Sequence, residues 1–236
     1  MQHIFKRYEK KYLISAEQAA IIETAISGTM TPDQYDSYWV QNLYFDTDNW
    51  DVIHTSMQKP FYKEKMRLRY YGILGESASR YAFLELKKKY AGIVYKRRIS
   101  VDVQEILLPL SDVLAGKSTQ IAKELDFYIK SAAVSEKMFI AFQRRAFAGK
   151  DDAMLRVTLD SGIRYRTSQL HFYDPGEGYV VLHENQHLLE IKTDKSIPFW
   201  LARLCNENGI YPASYSKYAA CYTDYCRRNF KEMAVI

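Results

Sequence analysis

The chain has 236 residues, of which 47% are hydrophobic, so it is long and apolar enough to bury a sizeable core, and disorder is not expected. A net charge of +5 does not by itself distinguish a nucleic acid, a membrane surface or a small anion as the ligand. The sequence has neither a run of about 20 apolar residues, which a membrane span needs, nor a signal-peptide pattern at its start. We therefore expect one domain over residues 1–236, in the cytoplasm, with reduced thiols at Cys205, Cys221 and Cys226.

The predicted elements begin with a strand and a helix. Ser15 followed by Gln18 has the spacing of a capping box, which starts a helix directly after the first strand. In chain order, strands are predicted at 5–14, 38–46, 61–72, 80–89, 92–102, 137–147, 153–160, 163–168, 179–184 and 187–193. Helices are predicted at 16–27, 104–116, 118–132, 197–208 and 216–230. Many strands with helices at a few points indicate an α+β fold built on a largely antiparallel barrel.

Charged and apolar residues alternate in five of these strands, so the charges of each strand share one face. The residues that share a face are Arg7, Glu9 and Lys11; Lys63, Lys65, Arg67 and Arg69; Glu85 and Lys87; Arg156, Thr158 and Asp160; and Glu190 and Lys192. For any single strand, the simpler interpretation is an open sheet with its charged face in water. The recurrence in five strands favours a closed barrel around a charged tunnel, because neighbouring cations repel each other unless an anion lies among them.

The residue types on these faces indicate the ligand. Arginine offers paired donors to phosphate oxygens and lysine offers compact positive charge. The few carboxylates on the same faces are oxygen ligands suited to a divalent metal. Together they predict a ligand with several phosphates, bound with a metal inside the barrel. Lys87-Lys88-Lys89 and Lys96-Arg97-Arg98 are runs of consecutive charges. Only alternate members of such a run can face inward, so Lys88 and Arg97 are expected on the outer face or the rim.

Other site chemistries find no support in the sequence. There is no glycine-rich phosphate loop, no serine hydrolase elbow and no Ser-His-Asp set. His171, His183 and His187 lack the spacing of metal ligands and are expected in turns or at the surface.

Nine short motifs follow one another along the chain. They are Glu9-Lys10-Lys11-Tyr12, Leu43-Tyr44-Phe45-Asp46-Thr47, Arg67-Leu68-Arg69-Tyr70-Tyr71-Gly72, Leu84-Glu85-Leu86-Lys87, Tyr95-Lys96-Arg97-Arg98, Arg144-Arg145-Ala146-Phe147, Arg156-Val157-Thr158-Leu159-Asp160, Leu189-Glu190-Ile191-Lys192 and Ser216-Lys217-Tyr218. Each motif alone is weak, but the ordered series, from about residue 5 to 222, resembles the VTC domain of the CYTH or triphosphate tunnel metalloenzyme superfamily.

The resemblance implies a polyphosphate polymerase that moves the γ-phosphoryl group of ATP onto a growing chain, releases ADP and uses Mn²⁺ or Mg²⁺. It implies catalytic phosphate-binding roles for Lys11, Arg67, Arg69, Lys87, Lys96, Arg144 and Arg156, and further substrate contacts from Lys192, Ser216 and Lys217. Glu190 matches the main metal-ligand position, with Glu85 and Glu9 as helpers. One departure is Phe142, where the family often has tyrosine, so a phosphate hydrogen bond from that hydroxyl would be missing.

Several alternatives stay open at this stage. The same clamp would serve a metal-dependent triphosphatase that uses water as the acceptor. A non-catalytic binder of polyphosphate or another polyanion is a third option, although nucleic acid is not expected because the cations alternate with aliphatic residues rather than with exposed aromatics. Glu85 and Glu190 could instead pair with internal cations. The resemblance also allows a membrane-protein partner at the inner face of a membrane, and the oligomeric state is not predicted.

Overall fold

The computed structural model describes residues 8–76, 79–91 and 93–233. The strands are β1 (Tyr8–Ser15), β2 (Met30–Pro32), β3 (Tyr38–Asp46), β4 (Tyr62–Tyr71), β5 (Tyr81–Tyr90), β6 (Ile93–Asp102), β7 (Ser135–Gly149), β8 (Arg156–Arg166), β9 (Tyr179–Leu182) and β10 (Gln186–Thr193). The helices are α1 (Ala16–Ile26), α2 (Asp51–Met57), α3 (Leu110–Ala115), α4 (Gln120–Ala132), α5 (Phe199–Glu207) and α6 (Lys217–Met233), with a 3₁₀ turn at Val103–Glu105. In the described part of the chain, no helix is both long and apolar enough to cross a membrane.

The ten strands form a mostly antiparallel sheet, which confirms the predicted α+β class. Their hydrogen-bonded order is β1-β10-β8-β7-β3-β4-β5-β6, with β2 on β7 and β9 on β8. Over the described residues this order begins at β1 and ends at β6, so the sheet is not closed by hydrogen bonds as the barrel prediction required. The last strand, β6, carries Lys96, Arg97 and Arg98, and charged side chains are typical of an edge strand.

The first helix begins where the capping box placed it. The Ser15 hydroxyl accepts a hydrogen bond from the Gln18 backbone N–H at 3.2 Å, and the Gln18 side chain accepts one from the Ser15 backbone N–H at 3.0 Å. These two bonds satisfy N–H groups that a helix start otherwise leaves without partners.

Three predicted elements, two strands and one helix, differ from the structure. The strands predicted at 153–160 and 163–168 are one strand, β8, because Gly162 adopts a φ of 59° within it and lets the chain continue instead of turning. The helix predicted at 104–116 is a 3₁₀ turn followed by α3, because Pro109 lies at the cap of α3 and cannot continue a helix that precedes it. The first residues of the predicted strand 5–14, together with Arg7, lie outside the described residues.

The described chain divides into two compact units. Unit 1 contains the described residues up to 38 together with 142–164 and 180–217, and unit 2 contains 39–141, 165–179 and the described residues from 218 onward. In unit 1, Ile22 and Ile26 of α1 are fully buried in a core with Leu189, Ile191 and Leu201. The prediction of one domain over 1–236 stays a prediction.

The core of unit 2 lies on one face of β4 and β5. Met66, Leu68, Leu84 and Leu86 are buried there with residues of α3 and α4, including Leu125. The charged residues at the alternate positions therefore occupy the opposite face. This arrangement confirms the predicted division of apolar and charged residues between the two faces of these strands.

Candidate functional site

In unit 1, strand register places the predicted charged residues side by side. Lys11 of β1 lies opposite Glu190 of β10, and Glu190 lies opposite Thr158 of β8. Two residues further along β10, Lys192 lies between Glu9 of β1 and Arg156 of β8. The register therefore gathers these predicted site residues on one face of the three strands.

Glu190 is the centre of this group, and four cations surround its buried carboxylate. Its oxygens lie 2.7 Å from Lys192 Nζ, 3.0 Å from Lys217 Nζ, 3.5 Å from Lys11 Nζ and 3.9 Å from Arg144 Nη2. Burial alone raises the pKa of Glu190, but the cations, with Lys217 first, hold it well below its ordinary value. Glu190 is thus ionised and shared among several positive groups.

A second carboxylate, Asp160, is completely buried beside it. Arg144 donates to both of its oxygens, at 2.6 and 2.7 Å, and Lys217 Nζ lies 2.6 Å from Oδ2. Burial raises the pKa of Asp160, whereas Arg144 and Lys217 lower it, and the net result is a lowered pKa. Because Lys217 contacts both carboxylates, these residues form one network, the Glu190 cluster: Lys11, Arg144, Asp160, Glu190, Lys192 and Lys217.

Phe142 lies directly beneath two cations of this cluster. The Lys217 Nζ is 4.6 Å and the Arg144 Cζ is 5.3 Å from the centre of its ring. A ring face attracts cations, so Phe142 contributes cation–π contacts in a position where the family pattern would supply a hydroxyl.

The remaining predicted residues of unit 1 are less enclosed. Arg156 is exposed, and Glu9 lies 3.1 Å from Lys11 Nζ with 35% of its side chain exposed. Ser216 is half-buried and directly precedes α6. Lys11 also donates to the carbonyl oxygen of Tyr215 at 3.2 Å, which ties β1 to this segment.

In unit 2, three neighbouring strands carry rows of cations on the face opposite the core. The residues that lie opposite one another on β4, β5 and β6 form three successive rows. The lysine row is Lys65, Lys87 and Lys96; the arginine row is Arg67, Glu85 and Arg98; and the aromatic row is Arg69, Phe83 and Ser100. Lys63 and Lys89 form a further pair beyond the lysine row. Over positions 63–69, 83–89 and 94–100 this surface, the cation face, carries eight cations and one carboxylate.

The single carboxylate, Glu85, is 2% exposed and holds two of the cations. It accepts hydrogen bonds from Arg67 Nη2 at 2.7 Å and Nε at 2.9 Å, and it lies 2.5 Å from Lys96 Nζ. Burial raises the pKa of Glu85, but Arg67, Arg69 and Lys96 together lower it to about 2. Glu85 is therefore a permanently charged counter-ion at neutral pH.

Arg67 is further positioned by an aromatic stack. The Tyr44 hydroxyl accepts from Arg67 Nη1 at 3.1 Å, and the Tyr44 ring stacks on Tyr218 at 4.4 Å. The Tyr218 hydroxyl in turn donates to the buried Asp46 at 2.7 Å. Each of these contacts restricts the side chain that faces Arg67.

Crowding of cations is visible elsewhere on the cation face. The pKa of Lys63 is lowered, first by burial and then by Lys89. The pKa of Lys96 is lowered, first by burial and then by Arg67 and Arg69, although Glu85 opposes the change. Arg69 is buried and donates to Asn42 Oδ1 at 2.8 Å, whereas Lys87 is exposed. An anion placed here would relieve the repulsion among these groups.

Two charged residues of the same strands lie on the other face, as the alternation predicted. Lys88 Nζ lies 2.7 Å and Arg97 Nε 3.5 Å from Glu124 of α4, and Lys88 also pairs with Glu64. These contacts hold α4 against the sheet and are unrelated to the cation face.

Comparison with known proteins identifies the family. The family model of the VTC domain matches residues 6–225, which is nearly the whole chain. The chain belongs to the VTC domain family. No curated protein matches it.

A solved structure with a TM-score above 0.5 shows the fold that this VTC domain adopts. A candidate adenylate cyclase from Bacillus halodurans is 15% identical, with a TM-score of 0.54, and the match covers 88% of this chain and 92% of that one. A candidate adenylate cyclase from Vibrio parahaemolyticus is 12% identical, the match covers 93% of this chain and 98% of that one, and the TM-score is 0.48. A Pyrococcus horikoshii protein is also 12% identical, the match covers 92% of this chain and 99% of that one, and the TM-score is 0.48. Membership of the VTC domain family supports a tunnel-type enzyme.

The carboxylates of this VTC domain could hold a metal only if some of their present cationic partners moved away. In the described residues, no three His, Cys, Asp or Glu side chains converge as a metal group. The Glu190 and Asp160 oxygens already contact lysine or arginine, so a metal would have to displace part of that network. Because Mg²⁺ is commonly held by one or two carboxylates plus substrate phosphates, the residues fit an ion carried largely by phosphate oxygens.

Sequence reasoning missed three residues of the cation face and its support in this VTC domain. Arg98 was left out of the predicted site residues, although the alternation expected in Lys96-Arg97-Arg98 places it on the same face as Lys96. Asn42 and Tyr44 lie among the buried residues of β3, where a polar side chain needs a partner, and their partners are Arg69 and Arg67. Only the pairing of β3 with β4 identifies those partners.

Proposed function

We propose that this VTC domain is a polyphosphate polymerase, which transfers the γ-phosphoryl group of ATP to the end of a polyphosphate chain and releases ADP. The observation that carries the proposal is the cation face, where eight cations share three adjacent strands with one carboxylate. Like charges directly opposite each other across a sheet destabilise it, and a chain of phosphates offsets that cost. Membership of the VTC family supports polyphosphate as that chain.

The proposed roles follow from what phosphoryl transfer requires. The reaction depends on positioning and on neutralising charge more than on covalent chemistry by the protein. On the cation face, Arg67 and Arg69 are restrained by Glu85 and Asn42, so they orient phosphates, while Lys87 supplies positive charge at an exposed position. Lys96 would neutralise charge that develops on the bridging oxygen.

The Glu190 cluster would bind phosphates by exchanging partners. Lys11, Lys192 and Lys217 are already neutralised by carboxylates, and their flexible stems let them turn to an incoming phosphate. Arg144 stays fixed by its paired bonds to Asp160, whereas Arg156 is free to reach solvent-borne anions. Ser216 and Lys217 would contact substrate together. The acceptor is already an anionic phosphate end, so the proposal needs no general base.

Tunnel enzymes of this kind generally depend on a divalent metal, and we propose Mn²⁺ or Mg²⁺. Glu190 is the residue we assign to hold the metal. Glu9 is close to it, since Lys11 pairs with both carboxylates. A bound ion would supply positive charge that neutralises the phosphates during transfer. Glu85 is better suited to be a counter-ion, because Arg67 and Lys96 occupy its carboxylate.

Incubation with ATP and Mn²⁺, followed by separation of the products, tests the proposal. ADP together with chains longer than triphosphate supports a polymerase. ADP with orthophosphate alone indicates the triphosphatase, and retention of polyphosphate without nucleotide turnover indicates a binder; either result overturns the polymerase. Glu190→Gln should abolish turnover while the far-UV circular dichroism stays unchanged, and Glu177→Gln, at an exposed site, is the control.

A further inference from the structure

The cation face changes character along its strands. The lysine row is followed by the arginine row and then by the aromatic row. The middle residue of each row lies on β5, and it is charged in the first two rows but is Phe83 in the third. Successive rows are two residues apart, which corresponds to about 7 Å, so the lysine and aromatic rows are about 13 Å apart. A ligand lying lengthwise would meet cations at one end and ring surfaces at the other.

The aromatic end is a compact group of three side chains, which we call the aromatic patch: Tyr71, Phe83 and Arg98. The Arg98 Cζ lies 4.4 Å from the centre of the Phe83 ring, and the Tyr71 ring meets Phe83 edge-on, with centres 6.1 Å apart at 67°. Arg69 lies over the other ring of the patch, 5.8 Å from the centre of Tyr71. Cation–π contacts of this kind attract each guanidinium to its ring and help to hold both in place.

The patch does not serve the hydrophobic core. Phe83 and Tyr71 are half-buried and Arg98 is exposed, whereas their strand neighbours Leu84 and Tyr70 point into the core on the opposite face. Aromatic rings on a strongly charged face gain little from packing there. Ring and guanidinium planes that stay accessible are surfaces on which nucleobases stack.

We propose that the aromatic patch binds the base of the donor nucleotide, whose phosphates extend over the arginine row towards the lysine row. This inference rests on the proposed function, because it requires a nucleoside triphosphate as the donor. It adds an orientation, since it places the transferred phosphoryl group at the end of the cation face away from Phe83.

The inference also defines a specificity. Stacking is sequence-tolerant because every base has a flat π face, so the patch distinguishes a nucleotide from base-free triphosphate but discriminates weakly among bases. Ser100, beside Phe83 in the same row, is the one neutral hydroxyl of that row. We therefore expect ATP and GTP to bind with similar affinity, and both to depend on Phe83.

Calorimetric titration with ATP and with tripolyphosphate, both in EDTA, tests the patch. Phe83→Leu should weaken ATP binding roughly tenfold and leave tripolyphosphate binding unchanged, because only ATP loses a stacking partner. Phe83→Trp should preserve ATP binding. Tyr95→Leu removes an exposed ring from the opposite face of β6 and is the matched control.

Arg98→Lys provides a second variant that keeps the charge and removes the planar guanidinium, so it should show the same selective loss. Equal losses for both ligands, or no loss for ATP in either variant, would overturn the patch. Titration measures binding without turnover. A protein that binds ATP through Phe83 but makes no polyphosphate would refute only the polymerase, whereas normal synthesis with unchanged ATP binding in Phe83→Leu would refute only the patch.

Discussion

Glu85→Gln tests whether the buried carboxylate is the counter-ion that makes the cation face stable. The change keeps the size of the side chain and removes its charge, so that Arg67 and Lys96 lose their ionic partner. Removing one member of a buried ion pair leaves an uncompensated charge, which is strongly destabilising.

The magnitude follows from the pKa of Glu85, which falls from an ordinary 4.5 to about 2 in the folded protein. This difference corresponds to about 3 kcal/mol of folding free energy at neutral pH. Because the folded pKa is the lower one, the stabilisation is present above pH 4.5 and is lost as the pH falls towards 2. At pH 3, about 2 kcal/mol of it has been lost.

Urea unfolding at pH 7, 5, 4 and 3 measures the effect in the wild type and in Glu85→Gln. We expect the variant to be about 3 kcal/mol less stable at pH 7 and about 1 kcal/mol less stable at pH 3. Glu76→Gln, an exposed carboxylate of the same unit, should follow the wild type at every pH. A difference between wild type and Glu85→Gln that stays constant from pH 7 to 3 would refute the counter-ion role.

Three further changes probe other parts of the chain. Asp160→Asn should lower the free energy of unfolding by about 3–5 kcal/mol in urea titrations, because its buried cationic partners lose a charge, and Asp151→Asn at an exposed site should not. Arg156→Ala should change stability by less than about 0.5 kcal/mol and yet weaken tripolyphosphate binding a few-fold in calorimetry; unchanged binding would remove this residue from the site. Gly178→Ala should cost about 1–3 kcal/mol, since its φ is 116° and a Cβ would lie 2.4 Å from a backbone oxygen, whereas Gly176→Ala, in open space, should be nearly neutral in thermal unfolding. Equal effects of the two glycine changes would contradict this reasoning.

The faces of the strands were predictable because alternation along a strand is a local property. The pattern around Arg67 and Glu85 assigned both to a charged face, and the register places them directly opposite each other. The start of α1 was equally local, since Ser15 and Gln18 lie within one turn. Gly162 shows the limit of local reasoning. A glycine can end a strand at a turn or be accommodated within a strand, and the sequence alone does not distinguish the two.

The partners of the site residues were not predictable from the sequence. Glu190 is surrounded by cations from β1, β7, β10 and α6, and nothing in its own motif indicates that four positive groups share it. Asn42 and Tyr44 gave no signal of their own because their roles depend on the pairing of β3 with β4. The hydrogen-bonded closure of the sheet was predicted and is absent over the described residues, since whether two edge strands meet depends on their arrangement in space.

By itself, the sequence determined which side chains are charged, which face of each strand they share and which family the chain resembles. Tertiary structure decided how those charges are neutralised, because ion pairs form between residues far apart in the chain and depend on register and burial. Lys217 shows the difference, since its contacts with Asp160 and Glu190 join residues 57 and 27 positions away, at 2.6 and 3.0 Å. Distances of that kind arise from packing, which no local pattern of residues records.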